Sequence, residues 1–185
     1  MNTNKIYPGM LCAGIEFFVH DDEEKVIQGG VVKDLAQAPY SVFDILEEAI
    51  DADESVKAAL LKMHPLSKHQ RLRQFVRCRF GGLDMQPDIK AGVLQEAEYW
   101  PCPLRGSCPA EGVLCKMPRH NGNELSKDDI SLMKLIATDR TNKSIADVLN
   151  VPLGTFHRNK TALYNKLGII TKQEVALIAV ALNLI

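Results

Sequence analysis

The residues in this chain with the most recognisable chemistry are its five cysteines, because thiolates bind metals and take part in redox reactions. Three of them lie within fourteen residues, in the segment WPCPLRGSCPAEGVLCKMP. Five and then six residues separate successive cysteines, so the two-residue spacing of zinc ribbons is missing. Disulfides are disfavoured in a reducing compartment. A metal ion bound by the thiolates is then the most specific hypothesis for the role of these cysteines. The predicted ligands are Cys78, Cys102, Cys108 and Cys115.

Four thiolates suit either zinc or an iron–sulfur cluster, and both stay open as the cofactor. His120 is an alternative to Cys78 as the fourth ligand. Two other interpretations also stay open: thiols that bind nothing, and a redox-active or nucleophilic cysteine. Metal binding would depend on pH and on folding of the loop, because each ligating thiol must lose its proton.

Charge is distributed unevenly along the 185 residues, although the formal net charge is only −1. From Leu125 onward eight basic and five acidic residues give a balance of +3. The preceding part has fourteen basic and eighteen acidic residues, a balance of −4. A basic segment beside an acidic body is typical of a nucleic-acid-binding module joined to a partner domain.

Four helices are predicted in the C-terminal segment. Ser126 is a candidate N-cap for the first, with Asp129 at the capping-box spacing. The second helix is short (143–149), and a turn containing Pro152 leads into the third, which ends before Gly168. The fourth begins near residue 171 and is almost wholly apolar.

A short helix, a tight turn and a longer helix with a cationic face form a helix-turn-helix. The second helix of such a motif fits the major groove of duplex DNA. The predicted inner face of this helix consists of Phe156, Leu163 and Leu167. Its outer face is rich in hydrogen-bond donors: His157, Arg158, Asn159, Lys160, Thr161, Asn165 and Lys166.

At these residues the segment Leu125–Ile185 resembles the LuxR/FixJ/GerE-type DNA-binding domain. The resemblance runs through LSKDDISLMKLIA, TNKSIADVLNV, TFHRNKTALYNKLGI and QEVALIAVALNLI, with the family's order and spacing. It implies that the third helix enters the major groove and that the fourth pairs two copies of the domain. The matching positions are Asn142, Lys143, Ile145, Ala146, Leu149, Thr155, Leu163, Lys166, Leu167 and Gly168.

The resemblance also implies a role for individual side chains. Base contacts fall to His157, Arg158 and Thr161. Phosphate contacts fall to Lys143, Thr155, Lys160, Asn165 and Lys166. A homodimer on a two-fold symmetric site would form through an apolar stripe on the fourth helix, made of Val175, Ile178, Ala179 and Leu182.

The sequence departs from the family pattern at the start of the third helix. His157 replaces a family lysine and Asn159 a family histidine, so base preference cannot be copied from a relative. Pro152 stands where the family has a capping serine, and Gly154 lies in the first turn. Loss of the cap costs about 1 kcal/mol, so we expect the helix to begin late, near Thr155.

Residues 1–119 have the pattern of a smaller domain with both strands and helices. GIEFF and VIQGGVV are predicted strands, the second interrupted by a turn at its two glycines. Ser41 is a candidate helix N-cap, and a further helix is expected from about Ser55 to Pro65. Between Ser55 and Leu83 there are seven basic residues and no acidic one, which indicates either a solvated face or an auxiliary phosphate-contacting patch.

The predicted fold is mainly α, with a small α+β N-terminal domain (1–119) and a C-terminal four-helix LuxR-type helix-turn-helix (125–185). The turn-rich stretch PRHNGNEL separates them. We predict a dimeric, sequence-specific regulator of transcription that binds double-stranded DNA and senses metal or redox state through its N-terminal domain. The alternative is a metal- or iron–sulfur-bearing protein that uses the helix-turn-helix for protein contacts.

Several classes of function have no support in the sequence. There is no phosphate-binding loop and no catalytic-triad pattern, so an enzyme is not expected. No apolar run reaches the ~18 residues that cross a bilayer. The N-terminal MNTNKIYPGMLCAG lacks the pattern of a signal peptide, so we expect a cytoplasmic protein without a membrane partner.

Overall fold

The computed structural model describes residues 6–185, so the stretch examined for a signal peptide begins outside the described residues. The chain divides into two compact units, Met1–Lys116 and Met117–Ile185. The predicted fold class is confirmed: the protein is mainly helical, with small antiparallel sheets of which the largest lies in the N-terminal unit. Within residues 6–185 no helix combines the length and the apolar character that crossing a membrane requires.

A three-stranded antiparallel meander forms the sheet of the N-terminal unit. Its strands are β1 (Glu16–His20), β2 (Glu23–Gln28) and β3 (Val31–Asp34), in that spatial order. Phe17 pairs with Val26, and both side chains are fully buried on the face of the sheet that carries the core. Gly29 and Gly30 both have positive φ, which the tight turn between β2 and β3 requires. The predicted strands and the predicted glycine turn are therefore confirmed.

Three helices pack on one another, and the third also lies against β1 and β2. They are α1 (Tyr40–Asp51), α2 (Glu54–Met63) and α3 (Lys68–Arg79). The prediction that Ser41 caps α1 is wrong, because Pro39 with its extended backbone is the N-cap and the helix therefore begins two residues earlier. Asp53 caps α2 by accepting hydrogen bonds from the backbone N–H groups of Ser55 and Val56.

The basic stretch of the N-terminal unit forms α3 and part of α2, and most of its cations form ion pairs inside the unit. Arg73 and Arg77 each donate from Nε to the carboxylate of Glu24, at 2.5 Å. The Glu24 side chain is only 3% exposed, and a buried carboxylate of this kind requires cationic partners. These two arginines therefore hold α3 against β2.

A long segment without helix or strand completes the N-terminal unit. It follows a short hairpin of β4 (Ile89–Lys90) and β5 (Val93–Leu94) and runs in turns from residue 95 to residue 116. Leu114 and Cys115 of this segment are buried in the same hydrophobic core as α1, α2 and α3. The segment is thus held in place by the burial of its side chains and not by the backbone hydrogen bonds of a helix or sheet.

The C-terminal unit begins with a hairpin and continues as four helices. PRHNGNEL forms the hairpin, with β6 (Arg119–His120) paired to β7 (Asn123–Glu124). The predicted cap of the first helix is confirmed, because Ser126 and Asp129 form a capping box with both hydrogen bonds present. The helices are α4 (Lys127–Ile136), α5 (Asn142–Val148), α6 (Leu153–Leu167) and α7 (Lys172–Ala181).

Candidate nucleic-acid interface

A tight turn after the short helix α5 sets the direction of α6. Asn150 adopts a left-handed conformation with φ of +52°, which asparagine tolerates better than most residues. Its N–H donates to the carbonyl of Asp147 at 3.1 Å, and the N–H of Val151 donates to the carbonyl of Ala146 at 3.0 Å. These two bonds form a Schellman motif, which ends α5 and turns the chain within four residues into α6.

Helix α6 starts earlier than the sequence indicates. It begins at Leu153, and the prediction of a late start near Thr155 is wrong. Pro152 offers no capping side chain, but its carbonyl accepts the N–H groups of both Thr155 and Phe156 and so closes the first turn. The predicted end is confirmed, since Gly168 follows the helix in the left-handed conformation, with φ of +71°.

The two faces of α6 differ as predicted. Phe156, Leu163 and Leu167 are at most 1% exposed and belong to the core of the C-terminal unit. The polar residues that lie between these positions in the sequence are on the opposite face of the helix, where they are exposed to solvent. The structure brings together on this exposed surface His157, Arg158, Thr161 and Asn165.

The side chains near the start of α6 are ordered by local contacts. Arg158 donates from a terminal guanidinium nitrogen to the hydroxyl of Thr155, at 3.2 Å. The His157 ring lies edge-on to the buried Phe156 ring, with centroids 5.5 Å apart. These contacts restrict the rotamers of Arg158 and His157 while leaving both side chains exposed, as a base-reading group requires.

The lysines predicted to contact phosphate have three different surroundings. Lys143, near the start of α5, is exposed. Lys160 lies with its ammonium 5.1 Å from the centre of the Tyr164 ring, a cation–π contact. Lys166 donates to the carboxylate of Asp129 at 2.6 Å, so it already has an anionic partner within the unit.

Helix α7 buries part of the stripe that was predicted to form a dimer. Val175 and Ala179 are fully buried in the core of the C-terminal unit, so they are not part of its surface. Leu177 and Val180 instead are 71% and 60% exposed. The helix is apolar on nearly every side, and periodicity alone therefore does not reveal which side faces inward.

The four predicted metal ligands all belong to the N-terminal unit, and all are free thiols. Cys78, on the last turns of α3, and Cys115 are buried, whereas Cys102 and Cys108 are partly exposed. The pKa of Cys78 is raised to about 11, mainly by burial and also by the charges of the other three cysteines, while the hydrogen bond that Gln74 donates to its sulfur lowers it. Within residues 6–185 the structure contains no group of three or more His, Cys, Asp or Glu side chains placed so that they could hold a metal ion. The alternative ligand, His120, lies on β6 of the C-terminal unit.

A group of buried carboxylates in the N-terminal unit was not identified from the sequence. Glu16 accepts the N–H of Asp84, and Asp88 accepts the N–H of Phe17. Burial raises the pKa of Glu16 to about 8 and that of Glu98 to about 9, and it also raises the pKa of Asp88. No spacing pattern connects these carboxylates, because they come together only through the tertiary fold.

One comparison with known proteins gives a match. Residues 123–179 match the model of a family described as bacterial regulatory proteins, luxR family. The matched stretch begins in β7, contains α4, α5 and α6, and ends within α7. Neither the curated proteins nor the solved structures contain a match to this chain.

Proposed function

We propose that this chain, which carries a LuxR-family domain in its C-terminal unit, is a sequence-specific DNA-binding regulator of transcription. The observation that carries the proposal is the two-sided character of α6. One side is sealed in the core, and the other presents exposed donors on a helix whose start is fixed by the α5 turn. A helix with this arrangement enters the major groove of B-DNA with its first turns at the base edges.

Base reading is assigned to the first exposed turns of α6. Arg158 has a guanidinium fork that matches the two acceptors on the major-groove edge of guanine. His157 and Thr161 flank it on the same exposed face and supply shorter polar groups. The Thr155 hydroxyl, which accepts from Arg158, would help to hold that guanidinium in the direction of the groove.

Phosphate contacts are assigned to Lys143, Thr155, Lys160, Asn165 and Lys166. Lys143 and Lys160 carry cations without an anionic partner among the described residues, and such cations release condensed counterions on binding DNA. Lys166 differs, because a phosphate would have to compete with Asp129 for its ammonium group. We therefore expect a larger sequence-independent loss from Lys160→Ala than from Lys166→Ala.

We infer that two copies of the chain bind a two-fold symmetric site. Leu177 and Val180 support this assignment, because they place two large apolar side chains on the exposed side of α7. A closed dimer would bury this surface and would place two α6 helices on successive half-sites. Selected DNA sites without two-fold symmetry, together with a monomer in sedimentation experiments, would contradict this inference.

The regulatory input is assigned to the N-terminal unit. It has its own core, and it carries the cysteine segment predicted to respond to metal or redox state. For this unit to regulate, its two states must differ in DNA affinity, since an effector shifts only an equilibrium between states that it binds unequally.

The proposal is tested by selecting bound duplexes from a random DNA pool with the full-length protein, and then by competition between a selected site and a scrambled site. Arg158→Ala should reduce discrimination by ~1–3 kcal/mol, whereas Lys160→Ala should weaken both duplexes alike and lower the salt slope by about 1. Arg119→Ala, which removes an exposed arginine outside α6, is the matched control. Unchanged discrimination in Arg158→Ala would refute the assigned reading face. Failure to enrich any duplex at low salt would refute DNA binding and favour a protein-docking role for α6.

A further inference from the structure

The C-terminal end of α3 is the fixed point around which the cysteine segment folds. Cys78 lies on this helix, two residues before its first non-helical position at Phe80. The backbone carbonyl of Arg79 accepts the N–H of Glu98 at 2.9 Å. The Trp100 ring covers Gly81 so closely that a Cβ atom there would lie 2.6 Å from it. The strand of chain that leads to Cys102 is therefore held against the helix end that carries Cys78.

The other end of the segment returns to the same place. Arg79 donates from its guanidinium to the carbonyl of Val113 at 3.4 Å. Cys115, two residues later, is buried in the same core cluster as Cys78, and Cys108 packs against that cluster. The chain before Cys102 and the chain around Cys115 thus both contact the C-terminal end of α3. They do so although Cys78 and Cys115 are 37 positions apart in the sequence.

Two buried donors beside these thiols have no acceptor among the described residues. They are Nε of Arg79, the residue after Cys78, and Nε1 of Trp100, two residues before Cys102. A buried N–H group without a partner costs free energy, so native proteins rarely contain one unless another group completes it. Metal-bound thiolates are acceptors of this kind, and N–H···S bonds to the ligating sulfurs tune such centres.

We propose that Cys78, Cys102, Cys108 and Cys115 bind a single metal centre, zinc or an iron–sulfur cluster, through four thiolates. The shared chemistry is thiolate ligation with tetrahedral geometry at each metal. Each thiol that becomes a ligand releases its proton to solvent as the sulfur–metal bond forms. Arg79 supplies a positive charge next to a centre that four thiolates make anionic.

Closing the site requires movement of the turns between Cys102 and Leu114, and not of α3 or of the buried Leu114 and Cys115. The segment 101–116 has no helix or strand, whereas Cys78 is fixed in α3. Gly106 and Gly112 have positive φ, and nothing lies within 4 Å of where their Cβ atoms would be, so glycine leaves the backbone of these turns free to change conformation. Metal binding would then restrict these turns further, which is the coupling of ligation to folding seen in small metal-binding segments.

The test uses the full-length protein, purified without oxygen and analysed for zinc, iron and acid-labile sulfide. Zinc at one equivalent supports a mononuclear site, and iron with equal sulfide supports a cluster. The metal is then removed, and cobalt(II) is titrated into the reduced protein. We expect one equivalent to give the charge-transfer and ligand-field absorption of a tetrahedral thiolate site.

Variants assign the ligands. Cys102→Ser and Cys108→Ser replace partly exposed residues, so they are expected to keep the fold, which circular dichroism checks. Each should weaken cobalt binding more than the ~10–100-fold that loss of an outer partner costs, and Trp100→Phe should fall within that range. Cys12→Ser, which removes an exposed cysteine outside the segment, should bind as the natural protein does.

Two results would overturn the metal site. The first is a protein that contains neither metal and gives no tetrahedral thiolate absorption with cobalt. The second is absorption that survives unchanged in both Cys102→Ser and Cys108→Ser. The inference does not rest on DNA binding, because the duplex selection described above tests the C-terminal unit separately.

Discussion

The two units of this chain place their chemically active groups in opposite surroundings. In the C-terminal unit, His157, Arg158 and Thr161 lie on the outer face of one regular helix and are exposed. In the N-terminal unit, Glu16 and Asp88 are buried, with 0% and 5% of their surface exposed. The thiols of Cys78 and Cys115 are buried there as well.

This contrast separates two ways of building a site. An exposed helical face needs only a stable scaffold, and its geometry follows from the 3.6-residue repeat. A buried carboxylate needs donors from distant parts of the chain, such as the N–H of Asp84, which lies 68 residues from Glu16. The first kind of site suits a ligand that arrives from outside, and the second is coupled to the stability of the fold.

The largest expected effect tests the scaffold of the exposed site. Phe156→Ala removes a fully buried ring from the core beneath the base-reading face, which should cost ~3–5 kcal/mol of the stability of the C-terminal unit. Leu153→Ala, on the same helix but 44% exposed, should cost far less. Hydrogen exchange of the α4–α7 amide groups measures both. Similar losses in the two variants would show that α6 is not anchored through Phe156.

A smaller effect tests the buried carboxylates through pH. The folded unit keeps Glu16 and Glu98 protonated up to a pKa of about 8 and about 9, while both ionise near 4.5 in the unfolded chain. The folded state therefore binds more protons between these values, and the free energy of unfolding falls as pH rises from about 4.5 to about 9.

Glu16→Gln should remove part of this dependence, because glutamine has the same shape but no titrating proton. The amide oxygen can still accept the N–H of Asp84. Relative to the natural protein, the variant should gain at least ~1 kcal/mol of stability between pH 5 and pH 9, one pKa unit corresponding to ~1.4 kcal/mol. Denaturant titrations at both pH values measure this gain, and Glu48→Gln, at an exposed position on α1, is the control. Parallel pH profiles for the natural protein and Glu16→Gln would contradict the buried-carboxylate account.

The smallest expected effect tests a signal that the sequence alone supplied. Ser126→Ala removes the acceptor for the N–H of Asp129 and should destabilise the C-terminal unit by ~1 kcal/mol. Ser131→Ala changes the same residue type inside the same helix, where the hydroxyl only donates to the carbonyl of Lys127. In thermal unfolding experiments the midpoint temperature of Ser126→Ala should be lower than that of Ser131→Ala. An equal shift would mean that the capping box does not determine the start of α4.

Prediction from the sequence succeeded where the determining contacts are local. The Ser126 cap, the two faces of α6 and the Gly168 stop all depend on residues within one or two helical turns. It failed at Ser41 and at the start of α6, where Pro39 and Pro152 begin the helices without a side-chain cap. Capping propensities describe side chains only. They cannot predict a helix start at which the backbone carbonyl of a proline accepts the N–H groups of the first turn.

Prediction also failed where a pattern allows more than one tertiary arrangement. Val175 and Ala179 were assigned to a dimer surface, but an almost uniformly apolar helix gives no sequence indication of its inward side. The arginines of α3 likewise form a run of positive charge in the sequence. Only the fold shows that Arg73 and Arg77 neutralise the buried Glu24, which lies about fifty positions earlier.

The sequence by itself determined the helix-turn-helix and its cationic outer face, because hydrophobic periodicity, caps and turn residues act over a few positions and specify helices directly. The tertiary structure decided which charged side chains form ion pairs inside the protein and which side of α7 is buried in the core. It also decided how the cysteine segment packs against the end of α3. Those outcomes depend on desolvation and packing between residues far apart in the chain, and the free energy of such contacts is fixed only when the whole core has formed.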